Sequence, residues 1–224
     1  MTGAGADPRL PRLEAAASQL QIGLPHGAAQ LLAFVDLLRR WNSTYNLTAL
    51  RDPDEMLVQH LFDCLAVVGP LVRELPKGPA RLLDVGTGGG LPGVVLAMLV
   101  PELDVTCVDA VGKKAAFVRQ AGVELGLRNL HAEHGRVETL RAPTPFDVVS
   151  SRAFASLADF TRLTRRHVGE SSIWMAMKGK RPDDEIAALP GDVEVFHVEP
   201  LTVPELDAER CLASAMPALS RRTS

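Results

Sequence analysis

The sequence predicts an α/β protein, a mostly parallel seven-stranded sheet preceded by an N-terminal helical extension. Three observations predict it. From Arg81 onward, short apolar runs alternate with helical stretches, the pattern of right-handed βαβ units. The first of these runs opens directly into a glycine-rich loop. Before residue 76, by contrast, the apolar residues recur at helical spacing.

Within the extension, Leu31, Leu32, Phe34, Val35, Leu37, Leu38 and Trp41 mark an amphipathic helix that starts near Pro25 and ends close to Asn42. The next start is written in Asp52-Pro53-Asp54-Glu55. Asp52 is the N-cap, Pro53 takes the first helical position, where its missing N–H costs nothing, and Glu55 is placed for a capping box. Met56, Leu57, His60, Leu61, Cys64 and Val67 or Val68 follow on one face. The segment from Trp41 to Thr48 between these helices offers aromatic and amide side chains for a docking turn, for substrate contact or for helix packing. Strands are expected at 81–85, 104–109, 129–133, 146–150 and 172–177. A helix from Gly112 to Leu125 turns Phe117, Val118, Ala121 and Leu125 inward. Val193–Val198 and Glu209–Ala215, after Asp183–Leu189, complete seven strands with an antiparallel edge. The chain thus divides into an extension (1–75), a Rossmann-like domain (76–219) and a loose basic tail (220–224), forming one globular unit.

Composition narrows the class. With 224 residues, 46% hydrophobic and 23% charged, the chain supports one domain with a sizeable core. Met1–Asp7 lacks a signal pattern, and no uninterrupted apolar run approaches the ~20 residues of a bilayer span, so a soluble cytoplasmic protein is expected. Cys64, Cys107 and Cys211 are far apart and lack C-x-x-C spacing, which indicates core residues rather than disulfides or zinc. His131 and His134 lie in or at the end of an expected strand without a third ligand, so no metal is assigned. A net charge of −3 gives no global attraction to nucleic acid, but basic residues gather at Lys113, Lys114, Arg119, Lys178, Lys180 and Arg181. Several of these lie beside expected strand ends, as solvated surface or as local contacts.

The loop carries the chemistry. Arg81 to Val85 has the length and apolar character of a strand buried on both faces, and glycines follow at 86, 88, 89, 90 and 93. These residues let the backbone turn with positive φ and approach a ligand closely, while Pro92 marks the first turn of a helix. Exposed N–H groups at such a junction form a cradle for an acidic or zwitterionic ligand. A dinucleotide fingerprint starting at Gly86 needs glycine at 91, where Leu91 stands, and the shifted match at Gly88, Gly90 and Gly93 begins two residues late. Asp84-x-Gly86-x-Gly88-x-Gly90 looks instead like the first motif of S-adenosylmethionine-dependent methyltransferases. Asp109, ending the run Val105–Val108, suits the two ribose hydroxyls of either cofactor. A nicotinamide-dependent oxidoreductase and a non-enzymatic ribosome- or RNA-binding module remain the alternatives.

Most of the chain resembles a family, the bacterial small-subunit ribosomal RNA methyltransferase G proteins, also called glucose-inhibited division protein B. The resemblance rests on Trp41-Asn42 with Asn46-Leu47-Thr48-Ala49, Arg51-Asp52-Pro53 leading to His60, and the block from Asp84 to Gly93. Val108-Asp109 with Gly112-Lys113-Lys114, Phe117-Val118-Arg119-Gln120, Arg136-Val137-Glu138, Ser151–Leu157 and Lys178-Gly179 complete it. Two departures stand out: Gly89 replaces a common proline or alanine, and Glu209–Pro217 is less β-branched than the family's last strand.

The resemblance implies methyl transfer from S-adenosylmethionine to N7 of a guanine in 16S ribosomal RNA of the small subunit, by a monomer. Guanine N7 has a free lone pair and no proton, so the reaction needs placement rather than a general base. No catalytic dyad is therefore assigned, and Arg152 is the one candidate. The sequence also lacks the Asn/Asp-Pro-Pro-Tyr run suited to adenine amines and a Pro-Cys nucleophile for pyrimidine C5. By resemblance and location, Gly86 and Leu91 bracket the methionine part, Asp109 takes the ribose, and Ala110 and Val111 flank the adenine. Val137 and Glu138, ending the third strand, reach the adenine edge. Arg152, just beyond the fourth strand, lines the site and holds the cofactor carboxylate or an RNA phosphate. Arg119, Arg136 and Lys178 are the candidates for RNA contact. His60 is given a capping or packing role.

Overall fold

A computed structural model describes residues 7–154 and 156–218. The tail anticipated at 220–224, and Ala155 within the Ser151–Leu157 motif, lie outside the described residues. The extension comprises α1 (Arg9–Gln19), α2 (Ala28–Tyr45) and a continuous helical run made of α3 (Pro53–Met56), a π-helical turn (Leu57–Phe62), α4 (Asp63–Leu65) and α5 (Val68–Glu74). The helix expected from Pro25 to Asn42 is shifted toward the C-terminus at both ends. Gly27, with φ of 78°, breaks the backbone ahead of Ala28, and left-handed Asn46, whose N–H reaches the Asn42 carbonyl at 3.2 Å, closes the other end. Asp52 caps α3 as expected, accepting from the N–H groups of Asp54 and Glu55. The run Pro53–Glu74 is long and apolar enough to cross a membrane by composition, yet 72% of its most apolar window is buried inside the fold.

The sheet follows as β1 (Ala80–Val85), α6 (Gly93–Leu99), β2 (Leu103–Asp109), α7 (Gly112–Glu124), β3 (Leu130–His134), β4 (Phe146–Arg152), α8 (Leu157–Thr164), β5 (Val168–Lys178), α9 (Asp183–Ala187), β6 (Val193–Pro200) and β7 (Cys211–Pro217). Its order is β3-β2-β1-β4-β5-β7-β6. The strands β1 to β5 are parallel, and β7 runs antiparallel to both β5 and β6. The antiparallel strand is therefore one place in from the edge, not at it. Backbone bonding to two neighbours holds Cys211–Pro217 extended despite its modest strand propensity.

Alternation along the strands divides the core. Leu82, Val148, Met175 and Met177 face the larger core, which also holds Leu13, Phe34, Leu38, Leu61, Val94 and Phe117 from α1, α2, the π turn, α6 and α7. Leu83, Val149, Trp174 and Ala176 face the second core with Leu157 and Phe160 of α8. The extension thus packs on the same face of the sheet as α6 and α7. Trp41 meets the Phe117 ring edge-on at 5.6 Å, and Asn42 fixes the turn beyond α2 through the Leu50 carbonyl and the Thr48 N–H. All three cysteines are buried and unpaired.

Candidate functional site: a backbone cradle beside a cationic cleft

Because β1 to β5 are parallel, their carboxyl ends share one edge. The register places Val85 beside Val108 and Ser151, Asp109 beside His134, and Arg152 beside Met177. The order reverses between β1 and β4, the crevice where open α/β sheets bind ligands.

Over β1 and β2 lies the cradle. Gly86, Gly88 and Gly90 have φ of 67°, 59° and 77°, a region costly for residues with a Cβ. Pro92 occupies the N-cap, one residue earlier than expected, and α6 begins at Gly93. A Cβ at Gly93 would stand 2.9 Å from Asp84 Oδ2 and against Cys107 Sγ, so glycine here lets the helix approach the sheet. Asp84 is fully buried and braces the loop from below: Oδ2 accepts from the Gly93 N–H at 3.1 Å and Oδ1 from the Ser150 hydroxyl at 3.1 Å. Burial pushes its pKa above the ordinary carboxylate value, against the pull of these donors.

Asp109, the last residue of β2, accepts from Gly88 N–H at 3.0 Å on Oδ2 and from Val111 N–H at 2.8 Å on Oδ1. Its backbone carbonyl accepts from Gly135 N–H at 3.0 Å. One carboxylate therefore joins the glycine loop to the β2–α7 turn, and each oxygen keeps further lone-pair capacity. Ala110 and Val111 are exposed beside it. Leu91 is buried in the larger core at 3% exposure, so it meets the cradle from beneath. Val137 and Glu138 do not end β3. They form a one-turn 3-10 helix (Val137–Thr139) beyond it, because β3 stops at His134 and Gly135 and Arg136 turn the chain. Val137 is buried, and its carbonyl accepts from His167 Nε2 at 2.7 Å.

The cradle fits S-adenosylmethionine on the shape of the loop itself. The backbone at Gly86 is exposed, and a Cβ there would sit 3.5 Å from the Phe154 ring. The exposed N–H groups expected of this loop are instead engaged, Gly86 and Thr87 on the Val108 carbonyl, Gly88 on Asp109, and Gly90 and Leu91 on the Thr87 carbonyl, so the turn offers bare glycine surface beside the Phe154 ring. Phe154 lies within the Ser151–Leu157 motif, and no local pattern in the sequence marks it as a site residue.

Across the switch point, over β4 and β5, lies a cleft of about 430 Å³ whose lining includes His60, Asp63, Arg152, Lys178 and Arg210. Arg152 is the last residue of β4 rather than a residue beyond it; the strand extends two positions further, and Ala153, with φ of 57°, turns the chain. The Arg152 guanidinium points to the extension. Nη1 donates to the Gln59 carbonyl at 3.1 Å and to Asp63 Oδ2 at 3.3 Å, and Nη2 lies 3.3 Å from His60 Nδ1. His60 Nε2 is 2.8 Å from the Thr48 hydroxyl. Burial first, and the Arg152 charge second, hold the His60 pKa down at about 4, so the imidazole is neutral at pH 7. Its Nδ1 faces both Arg152 Nη2 and the Gln59 carbonyl, the latter at 3.2 Å, and its Nε2 faces the Thr48 hydroxyl, contacts more specific than packing.

Lys178 joins Arg152 in the cleft but is paired with Glu185 at 2.8 Å. Glu185 also accepts from the Leu157 N–H at 2.6 Å. Arg136 borders a smaller cleft of about 230 Å³ beside Val108 and His134. Arg119 is separate, exposed on α7 with its guanidinium on the Ala132 carbonyl at 3.2 Å. His131 bonds Asp104 at 2.7 Å. Sequence reading missed Asp63 and Arg210. Asp63 had a signal, a lone charge inside an apolar helical run, whereas nothing local marks Arg210.

Comparison with known proteins places this geometry in context. A family model described as rRNA small subunit methyltransferase G matches residues 28–213. The chain is 61% identical over 191 residues to the ribosomal RNA small subunit methyltransferase G of Acidovorax sp. (strain JS42), covering 82% of this chain and 84% of that relative. It is 53% identical over 239 residues to the protein of that name from Verminephrobacter eiseniae (strain EF01-2), covering 97% and 98%. Among solved structures, a SAM-dependent methyltransferase from Aquifex aeolicus superposes with a TM-score of 0.55 at 19% identity, covering 77% of this chain and 97% of that one. The glycopeptide N-methyltransferase MtfA, complexed with S-adenosylmethionine, gives a TM-score of 0.58 at 10% identity, covering 68% and 93%. These structural likenesses concern the fold alone.

Proposed function

The chain belongs to the rRNA small subunit methyltransferase G family, and from that premise we propose that it transfers a methyl group from S-adenosylmethionine to N7 of a guanine in 16S ribosomal RNA. In this reading it acts as a cytoplasmic monomer on the small subunit or its RNA. The observation that carries the reading is the junction of the backbone cradle at Gly86–Gly90 with the cleft at Arg152 across the β1–β4 switch point.

The cofactor, when bound, supplies a methyl group activated by its sulfonium centre. The exposed glycine surface at Gly86 would flank its amino-acid end, Asp109 would accept from its ribose, and Ala110, Val111 and the Val137–Glu138 turn would enclose its adenine. The target base enters the cleft at the end of β4. Guanine presents O6 and N7 acceptors on one edge, the pair that arginine and lysine donors read. Arg152 serves O6 and leaves the N7 lone pair free to attack. Adenine would offer an amino group there and oppose the same cation. No proton leaves N7, so the neutral His60 need not act as a base. In well-oriented reactions placement can account for ~7 kcal/mol or more of a barrier. Arg119, Arg136 and Lys178 contact the RNA around the target.

Calorimetry with S-adenosylmethionine and with NADH, followed by transfer of labelled methyl groups to unmethylated 30S subunits and to naked 16S RNA, tests the reading. Binding of the first ligand with label entering either RNA substrate supports it. NADH binding alone favours the oxidoreductase, and RNA binding without label uptake favours the non-enzymatic module.

A further inference from the structure

Asp63 is 3% exposed in a helical run otherwise rich in buried leucine, valine and phenylalanine. A buried carboxylate there is poor design for stability alone, since an apolar residue of similar size packs such a helix without desolvating a charge. The charge is fully used, however. Oδ1 accepts from Arg210 Nε at 2.9 Å and Oδ2 from Arg152 Nη1 at 3.3 Å. The two arginines arrive from the end of β4 and from the residue before β7, and their side chains keep 21% and 24% exposure. Both line the cleft. Without a carboxylate between them, two guanidinium groups this close would repel and spread.

The π-helical turn contributes to the same end. It puts the Gln59 carbonyl, the His60 ring and, one residue past the turn, the Asp63 carboxylate around one guanidinium. Inserted π turns occur often at functional sites because they re-aim side chains and carbonyls.

We propose that Asp63 is a positioning residue for the substrate side of the reaction: it clamps Arg152 and Arg210 as converging donors for the target guanine and its phosphate. The helical extension then forms a working wall of the substrate cleft. This inference rests on the methyltransferase reading given above. Asp63 touches neither cofactor nor base and acts through the arginines.

The test uses the full-length protein with Asp63→Asn, Asp63→Glu, Arg152→Lys and the Asp63→Asn/Arg152→Lys double variant. Three quantities are read: the Kd for S-adenosylmethionine, kcat and KM on 16S RNA substrate, and Tm. Asp63→Asn is expected to keep cofactor Kd within twofold of the parent while kcat falls at least 30-fold and KM changes less than threefold. Asp63→Glu keeps the charge but displaces both guanidiniums by a methylene length, so kcat falls at least tenfold. The double variant is no slower than the slower single one, because both changes break one link. The proposal is overturned if cofactor affinity and transfer fall in parallel, if Glu transfers at the parental rate, or if the losses of the single variants multiply. Should Asp63→Asn not fold, Asp63→Glu and Arg210→Lys decide by the same Kd and kcat criteria. A parental protein that methylates no guanine N7 refutes the underlying reading instead, and so separates the two failures.

Discussion

Replacing Asp109 with alanine separates a cofactor-binding carboxylate from a merely structural one, and the structure sets both magnitudes. The change removes two charge-assisted bonds to backbone, from Gly88 N–H at 3.0 Å and Val111 N–H at 2.8 Å. Such bonds contribute about 1.5–3 kcal/mol each when buried, but Val111 is exposed and Gly88 half-buried, so water replaces much of the loss. A net cost of about 1–2 kcal/mol follows. For a chain of this length that lowers Tm by about 2–8 °C, leaving a folded protein in which binding can be measured. If the remaining lone pairs of the carboxylate also serve two ribose hydroxyls, cofactor binding loses a further ~2–3 kcal/mol, or about 30- to 150-fold in Kd. Isothermal titration with S-adenosylmethionine and with methionine provides the assay. Affinity for the nucleoside cofactor should fall by that factor, and that for methionine, which has no ribose, should change by less than threefold. An unchanged Kd for S-adenosylmethionine, or an equal loss for both ligands, would refute the ribose assignment.

Three other outcomes follow from the same geometry. Gly93→Ala drives a methyl group to 2.9 Å from Asp84 Oδ2 and into Cys107; both partners are buried, so thermal denaturation should register at least the ~1–3 kcal/mol typical of overpacking. His60, with its folded pKa of about 4 against 6.5 for the free group, is neutral in the fold. Its contribution, about 3 kcal/mol, is fully present above pH 6.5 and is lost as pH falls toward 4. Urea unfolding across this window should therefore find Gln at 60 giving a flatter acid limb than the parent, and parallel limbs would contradict the assignment. Arg119→Ala and Arg136→Ala should each weaken binding to a 16S fragment and reduce the slope of log K against log salt by about 0.7–0.9, whereas an unchanged slope would mark either residue as a surface group without a phosphate partner.

What was legible in the sequence was whatever depends on neighbours along the chain. The buried strand ending at Val85, the positive-φ glycines after it, the Asp52 cap and the inward face of α7 all rest on local pattern, and the structure contains each of them. Boundaries slipped where one residue decided them: Gly27 delays α2, and β4 runs on to Arg152 because Ser151 and Arg152 pair with Ala176 and Met177. The Glu209–Ala215 region illustrates tertiary override, since its strand is imposed by two hydrogen-bonded neighbours rather than by propensity. The cradle was readable because one loop and one carboxylate make it. The cleft was not, because its ion cluster joins Asp63, Arg152 and Arg210 from three distant segments. Pairing between such charges has no signature in spacing. The π turn that aims Gln59 and His60 is equally silent, as it interrupts an apolar helix without changing its composition.

The central claim is most directly tested by nucleoside mass spectrometry of 16S RNA from cells lacking this protein, before and after incubation of their 30S subunits or naked RNA with the purified protein and S-adenosylmethionine. The account predicts the appearance of one 7-methylguanosine per 16S molecule, dependent on both protein and cofactor. No new 7-methylguanosine, or a methyl group found instead on another atom of guanine, would contradict it.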